Sequence, residues 1–333
     1  MDYHELAQPE VIDWLLEPSN PSIRYWALQH LKDQSPSSNE VRNAQKAILQ
    51  EPVIKAILAA QVPEGYWDKP NHIYAKKYTA TTHSLLILAE YGLQRLPAIE
   101  RSIEHLFTFQ LDSGHFSTAR PKTARGYASQ ISDMCCLDAN ILYYLAHFGY
   151  LDDPRTQKTI QFLIDHYDEN QGGWKCRAYP INPEEVIPKS CYMGLCKVLK
   201  SFSVFPKDHQ SRTLNTIIDQ VVEIILENRI YKYLRNPDGS RKEKAGWKRF
   251  GFPLFYNSDA LEILDTLARL EIRDHRTEDA LDLVLKTQQS DGKWLLKHSF
   301  NGKFWHDIEK KGQPSKWITL RALRVLKFYS AQS

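Results

Sequence analysis

Gln61…Gly65-Tyr66-Trp67, Gln110…Gly114-His115-Phe116, Gln171-Gly172-Gly173-Trp174 and Gln288…Gly292-Lys293-Trp294 are four versions of one turn. In each, a helical stretch ends near a Gln, a Gly-x-aromatic corner follows, and a second helical stretch begins. The first two glycines, 65 and 114, are 49 residues apart, the gap to 172 is 58, and the gap to 292 is 120, about two periods. Asn236-Pro237-Asp238-Gly239, followed by Gly246-Trp247, supplies a degenerate copy inside that double gap. A period of this size means stacked supersecondary units, each burying its apolar face on the next. The corner has a mechanical reading. Glycine takes the positive φ that ends a helix, the ring packs back on the helices, and the Gln amide satisfies orphan backbone groups.

The stretches on either side of the corner differ. Before it, Ile99, Ile103, Leu106 and Phe107 form one stripe, as do Ile160, Leu163 and Ile164, and Leu281, Val284 and Leu285. After it, residues 82–92, 136–150, 191–202, 258–270 and 317–329 are apolar on most faces and should be buried on several sides. Alternating one-sided and many-sided helices predict two concentric layers with the striped helices outside. Strand signals are nearly absent. Residues 1–50 carry no such corner; Asn20-Pro21 starts a helix with an N-cap and a proline at N1. They are expected as an N-terminal helical cap packed on a single repeat unit, 51–333.

A chain of 333 residues with 42% hydrophobic content and 8 Trp is globular and large enough for a substantial core. No run reaches the ~18 to 20 apolar residues that span a bilayer. Met1-Asp2-Tyr3-His4-Glu5 lacks the basic and apolar regions of a signal peptide, and five cysteines in so large a chain suit a reducing compartment. A cytoplasmic protein is expected.

The four corners and their spacing resemble the repeats of the squalene/oxidosqualene cyclase and protein-prenyltransferase β-subunit superfamily, over roughly residues 51–330. Small single-domain prokaryotic relatives look most similar, and the run Phe300-Asn301-Gly302-Lys303…Gly312-Gln313-Pro314-Ser315-Lys316-Trp317 resembles them too. The resemblance implies an all-α fold, an α/α toroid of about five helical hairpins in two layers. The superfamily's chemistries leave mixed traces. An Asp-x-Asp-Asp acid and an Asp-Asp-x-x-Asp magnesium site are both missing, and Asp152-Asp153-Pro154 reads as a helix start. Of the prenyltransferase zinc ligands, Cys191 matches, while Lys189 stands at the Asp position and Asn257 at the His position. A different zinc site from Cys136, Cys176 and Cys191, with His83 nearby, is an alternative, as is the packing of these cysteines as small hydrophobes.

Charge gives the strongest pointer to a ligand. The five loops 68–78, 117–133, 175–190, 235–250 and 293–316 together carry net +13, against +3 for the whole chain. On a toroid these loops share one end with the inner-helix N-termini, whose free N–H groups also favour anions. An anionic, largely apolar small molecule, a prenyl-diphosphate-like or carboxylate compound, is therefore the expected partner in a central cavity. Asp259, Asn257, Asp133 and His306 are the candidate catalytic groups. Trp67, Tyr74, His83, Trp174, Lys189, Trp247, Phe255, Tyr256, Trp305, Lys316 and Trp317 are the candidate ligand-binding residues. Asp259 reads equally well as a helix cap. A non-catalytic scaffold that holds protein or nucleic acid on a basic face is the competing reading, with a Cys-based zinc enzyme as a third.

Overall fold

The computed structural model describes residues 3–120, 134–174 and 191–331. In chain order the helices are α1 (Tyr3–Leu6), α2 (Pro9–Leu15), α3 (Pro21–His30), α4 (Asn39–Ala47), α5 (Pro52–Ala59), α6 (Thr81–Glu90) and α7 (Pro97–Phe107). They continue as α8 (Cys135–His147), α9 (Pro154–Asp165), α10 (Tyr192–Phe202), α11 (Arg212–Glu227), α12 (Ala260–Arg269), α13 (Glu278–Lys286) and α14 (Lys316–Ser330). None of the described helices is long and apolar enough to cross a membrane.

The many-sided segments form an inner ring: α6 packs on α8, α8 on α10, α10 on α12, α12 on α14, and α14 on α3. Trp26 of α3 closes the circle by donating its indole N–H to the carbonyl of Glu90, the last residue of α6, at 3.0 Å. The striped helices lie outside, with α7 on α6, α9 on α8, α11 on α10 and α13 on α12. The burial follows the sequence pattern. Every residue of α6 is buried, whereas α11 buries only the stripe Leu214, Ile217, Ile218, Val221, Val222, Ile225 and Leu226. The fold is an α/α toroid.

The Gly-x-aromatic corners fasten each hairpin to the next. Gln61 donates to the carbonyls of Gly65 and Ala98 and to Ser102 Oγ, so one amide ties its own turn to the start of α7. Gln110 repeats this with Gly114 O, Arg155 O and Thr159 Oγ1 at the start of α9. The indoles of Trp67, Trp174 and Trp294 donate back to Ile57 O, Leu163 O and Val284 O of the preceding outer helix at 2.7–2.8 Å. At Gly114, φ is +95° and an added Cβ would lie 2.3 Å from the Lys158 carbonyl, so glycine is required on two counts. The third corner differs from the expected register. Asp168, four residues before Gly172 like the other glutamines, holds the turn by accepting from the N–H groups of Asn170 and Gln171.

The N-terminal helices, expected as a cap, make contacts that give them a place within the two layers. The fourth corner passes its amide bond forward to the chain's own start: Gln288 donates to Leu6 O at 3.2 Å, and Gly292 packs on Val11 and Gln8. Helix α2 thus follows α13 in the outer layer, and α3 fills the inner gap between α14 and α6. The degenerate copy at Asn236–Gly239 is not a helical corner. It turns a short antiparallel ribbon, β1 (Leu234–Arg235) with β2 (Arg241–Lys242).

Candidate functional site

The corners and inner-helix N-termini lie at one end of the ring, where three long loops interlock. Tyr78 N donates to Lys303 O, Trp305 Nε1 donates to Thr79 O and Ser84 Oγ, and the N–H groups of Lys297 and His298 share Phe250 O. Across the ring, Asn140 of α8 donates to Phe255 O at 3.0 Å. These loops gather an aromatic cluster. Tyr78 lies 4.0 Å from Phe300 and 4.8 Å from Phe255, and His83 lies 4.9 Å from Tyr74 and 5.0 Å from Phe255, centroid to centroid. The Lys77 ammonium sits 4.4 Å above the Tyr256 ring and 5.1 Å from that of Tyr74.

His83 is the chemically distinctive group in this cluster. It is 2% exposed, and its Nε2 is buried without a hydrogen-bond partner. Burial, helped by the Lys77 charge, pushes its pKa down to about 3, so the imidazole is neutral at physiological pH. Near the starts of other inner helices, Tyr256, Asn257, Cys136 and Cys191 are only partly buried, as is Asn140 of α8. Lys77 is itself exposed, as are the loop cations Lys69, Lys76, Arg241, Lys242, Lys244, Lys248, Lys297 and Lys303. The positive charge therefore forms a rim around an aromatic centre.

The residues expected from the sequence fall into several places. Tyr74, His83, Phe255 and Tyr256 come together, with Trp305 hydrogen-bonded beside them. Trp67 and Trp174 are buried at 0% and 3% exposure, their indoles spent on outer-helix carbonyls, so they fasten the layers. Trp247 packs with Tyr192 and Tyr233 beside α10. Lys316 turns away to Glu17 at 2.6 Å and to the Trp14 ring, joining α14 to the N-terminal hairpin. Trp317 points into the ring and stacks on Phe252 at 4.1 Å. Asp259 caps α12, accepting from Glu262 N at 2.8 Å and Gly251 N at 2.9 Å, while burial raises its pKa to about 6. His306 is exposed on its loop, bonded to Asp307 O. Neighbouring Glu309 accepts from Ser315 Oγ and Lys316 N and so anchors the start of α14. Asp133, Cys176 and Lys189 lie outside the described residues.

A zinc site finds few donors among the described residues, where no group of three His, Cys, Asp or Glu side chains is arranged to hold a metal. Cys135 and Cys191 meet around Gly194, whose added Cβ would lie 2.4 Å from the Cys135 sulfur and 3.9 Å from that of Cys191. Burial pushes the Cys136 thiol up to about 12.

The axis of the ring is occupied by a group of charges that the sequence reading missed. Lys197 of α10 donates to both oxygens of Glu262 of α12, at 2.9 and 2.7 Å, and Lys200 donates to Glu262 and to Glu90 of α6. Arg321 of α14 approaches Glu90 at 3.5 Å, and Arg324 grips Asp265 with two nitrogens. Bridges between α6 and α10, which are not neighbours, must cross the ring, so this lattice fills its centre. The cavity left beside it measures about 20 Å³, room for about one water molecule rather than an organic ligand. A signal was present: Lys197 and Lys200, Glu262 and Asp265, and Arg321 and Arg324 each recur at i, i+3 on otherwise apolar helices.

No family profile and no curated protein matches the chain. Solved structures are similar to it at low identity. A protein from Actinoplanes is 14% identical, with 99% of this chain and 100% of that one covered and a TM-score of 0.47. An unsaturated glucuronyl hydrolase specific for heparin is 12% identical, with 97% and 89% covered and a TM-score of 0.45. The type II terpene cyclase MstE from Scytonema is 12% identical, with 92% and 87% covered and a TM-score of 0.44. At this distance the likenesses carry no argument about activity.

Proposed function

We propose that the protein binds an anionic, largely apolar small molecule at the inner-helix N-terminal end of the ring, in the manner of a terpene-cyclase-like or prenyltransferase-like toroid. The observation that supports this is the meeting of Tyr74, Tyr78 and Phe255 around the neutral imidazole of His83, whose Nε2 has no hydrogen-bond partner, with Lys77 over the neighbouring Tyr74 and Tyr256 rings. The rings would contact the apolar body. Lys77 and the rim cations would meet the anionic head, aided by the helix N-termini. The charge lattice keeps the ligand out of the axis, so it lies at the mouth. Neutral His83 can donate or accept a proton at Nε2 only where a ligand reaches it, which makes it the group to test for chemistry.

The test is native mass spectrometry of protein purified without detergent, followed by titration with a prenyl diphosphate and with long-chain carboxylates. A one-to-one complex is expected, weakened about tenfold or more in Lys77→Ala, since a lost charge-assisted contact is worth about 1.5–3 kcal/mol. Absence of binding across both classes would reject the reading. The filled axis and the exposed rim cations favour a second reading, a non-catalytic scaffold that holds a polyanion on its basic face. It predicts steeply salt-dependent binding to nucleic acid, with the loss spread evenly over rim lysines.

A further inference from the structure

We infer that the end of the ring opposite the mouth holds the phosphate group of a small organic phosphomonoester, in an open hollow walled by Arg269, Arg273 and Arg324. The hollow has a volume of about 400 Å³, a size that suits a small molecule. It lies where α3, α12 and α14 end, so it is separate from the ligand reading above. Its ionic lining sets four cations, the three arginines and Lys327, against two carboxylates, Asp33 and Asp265.

The hydrogen bonds separate the donors that are spent from those that are free. Lys327 gives its ammonium to Asp33 and to the carbonyls of His30 and Leu31, closing the end of α3. Arg324 gives Nε and Nη2 to Asp265, which leaves Nη1. Arg269 meets the same carboxylate only through Nε, at 3.4 Å, which leaves both terminal nitrogens. Arg273 gives Nη1 to Phe328 O, which leaves Nε and Nη2. These remaining nitrogens have no other partner among the described residues. Arg273 is exposed and Arg269 and Arg324 are half-buried, so a solute can reach them. The guanidinium groups are also held in place beforehand. Asp265 fixes Arg324 on two nitrogens, and Arg273 lies 3.9 Å from the Phe328 ring while bonded to that residue's carbonyl. Planar forks fixed in advance match the oxygens of a phosphate and lose little freedom on binding it. The charge matches as well, since the excess of cations in the lining meets an ester of about −1.5 to −2 at pH 7. Beside the arginines the wall is less polar, with Phe328 and His30. Burial, then the charges of Arg324 and Arg269, push the His30 pKa down to about 2, so its ring is neutral, and it stacks on Trp26 at 5.5 Å. These rings give the organic body of the ester a flat surface to lie against.

The probes are phenyl phosphate and inorganic phosphate, titrated by calorimetry into the full chain in phosphate-free buffer of low ionic strength. One site per chain is expected, with phenyl phosphate bound several-fold more tightly than inorganic phosphate. Arg273→Gln is the variant to compare, because Arg273 forms no ion pair among the described residues and its loss should leave the fold intact. Affinity for phenyl phosphate should drop about tenfold there and keep its wild-type value in Lys77→Ala. A drop in Lys77→Ala with none in Arg273→Gln would move the phosphate to the mouth and overturn the proposal. So would the absence of saturable binding in wild type. Equal affinity for the two probes would leave a site for free phosphate and contradict the organic ester.

Discussion

Replacing Glu262 by Gln removes one charge from the centre of the axial lattice while keeping the shape of the side chain. Glu262 is 2% exposed and accepts three hydrogen bonds from Lys197 and Lys200 at 2.7–3.0 Å. Lys200 retains Glu90 after the change, but among the described residues Lys197 forms no ion pair besides that with Glu262, and it is itself 1% exposed. Breaking a buried pair from one side costs about 3–5 kcal/mol. With an unfolding entropy of about 2.1 cal/mol/K per residue, a chain of this size gives ~0.7 kcal/mol/K, so the midpoint should fall by roughly 4–7 °C. The assay is thermal and urea unfolding of wild type, Glu262→Gln, Lys197→Met and the double variant. Because the double variant leaves neither charge stranded, it should recover at least half of the loss seen in Glu262→Gln. If Glu262→Gln costs less than about 1 kcal/mol, or if the two single losses simply add, the cross-ring lattice does not brace the fold as described.

Other consequences can be checked with single substitutions. Gly114→Ala combines positive-φ strain with a Cβ clash on Lys158 O, whereas Gly149→Ala has φ +77° but open space. The first should cost several kcal/mol and the second about 1, read by urea denaturation. Gln110→Ala leaves the Arg155 carbonyl and Thr159 hydroxyl without their donor and should cost about 1–3 kcal/mol, more than Gln288→Ala, whose amide reaches only Leu6 O and Gly292 O. Burial depresses His83 to about 3 from an ordinary 6.5, so the unfolded chain binds the extra proton between those values. Its contribution is complete above pH 6.5 and drains away as pH falls toward 3, by up to about 1.4 kcal/mol per unit. Stability measured from pH 7 to 4 should therefore decline less steeply in His83→Gln than in wild type, and equal slopes would count against a buried neutral imidazole. Glu262 works in the same sense but lower on the scale. Burial raises its pKa, and Lys197, Lys200 and Arg321 outweigh that and hold it at about 2. Its share is lost only as pH falls from about 4.5 through 2, a window that should disappear in Glu262→Gln.

The layered fold was legible because its fasteners are covalent neighbours: Gln61, Gly65 and Trp67 lie within seven residues, and their spacing survives in the chain whatever packs on them. The same logic misplaced the third corner. The Gly172-Gly173 doublet drew attention to Gln171, while the residue in register is Asp168. Closure of the ring by α2 and α3 could not be read locally, since its evidence is a bond between Gln288 and Leu6 at opposite ends of the chain. In the aromatic cluster, Tyr74, His83, Phe255 and Tyr256 were expected from their place on the loops and turns that feed the inner helices. Tyr78 and Phe300 were not, because they reach the cluster from irregular loops whose course no periodicity records. Asp259 was open to two readings, and its two backbone partners mark it as a cap. The axial charges were hidden for a different reason. A lysine on an apolar helix looks like a solvent-facing residue until the opposite carboxylate, 65 residues away in the case of Lys197 and Glu262, is known to cross the ring.

The mouth as a ligand site is most directly tested by comparing two lysines of the same end, Lys77 over the Tyr74 and Tyr256 rings and Lys248 on the rim beside Glu243. Titration calorimetry with a prenyl diphosphate should give one site per chain in wild type and in Lys248→Ala. Lys77→Ala should bind about tenfold or more weakly. Equal losses in the two variants, or no saturable site in wild type, would contradict the assignment.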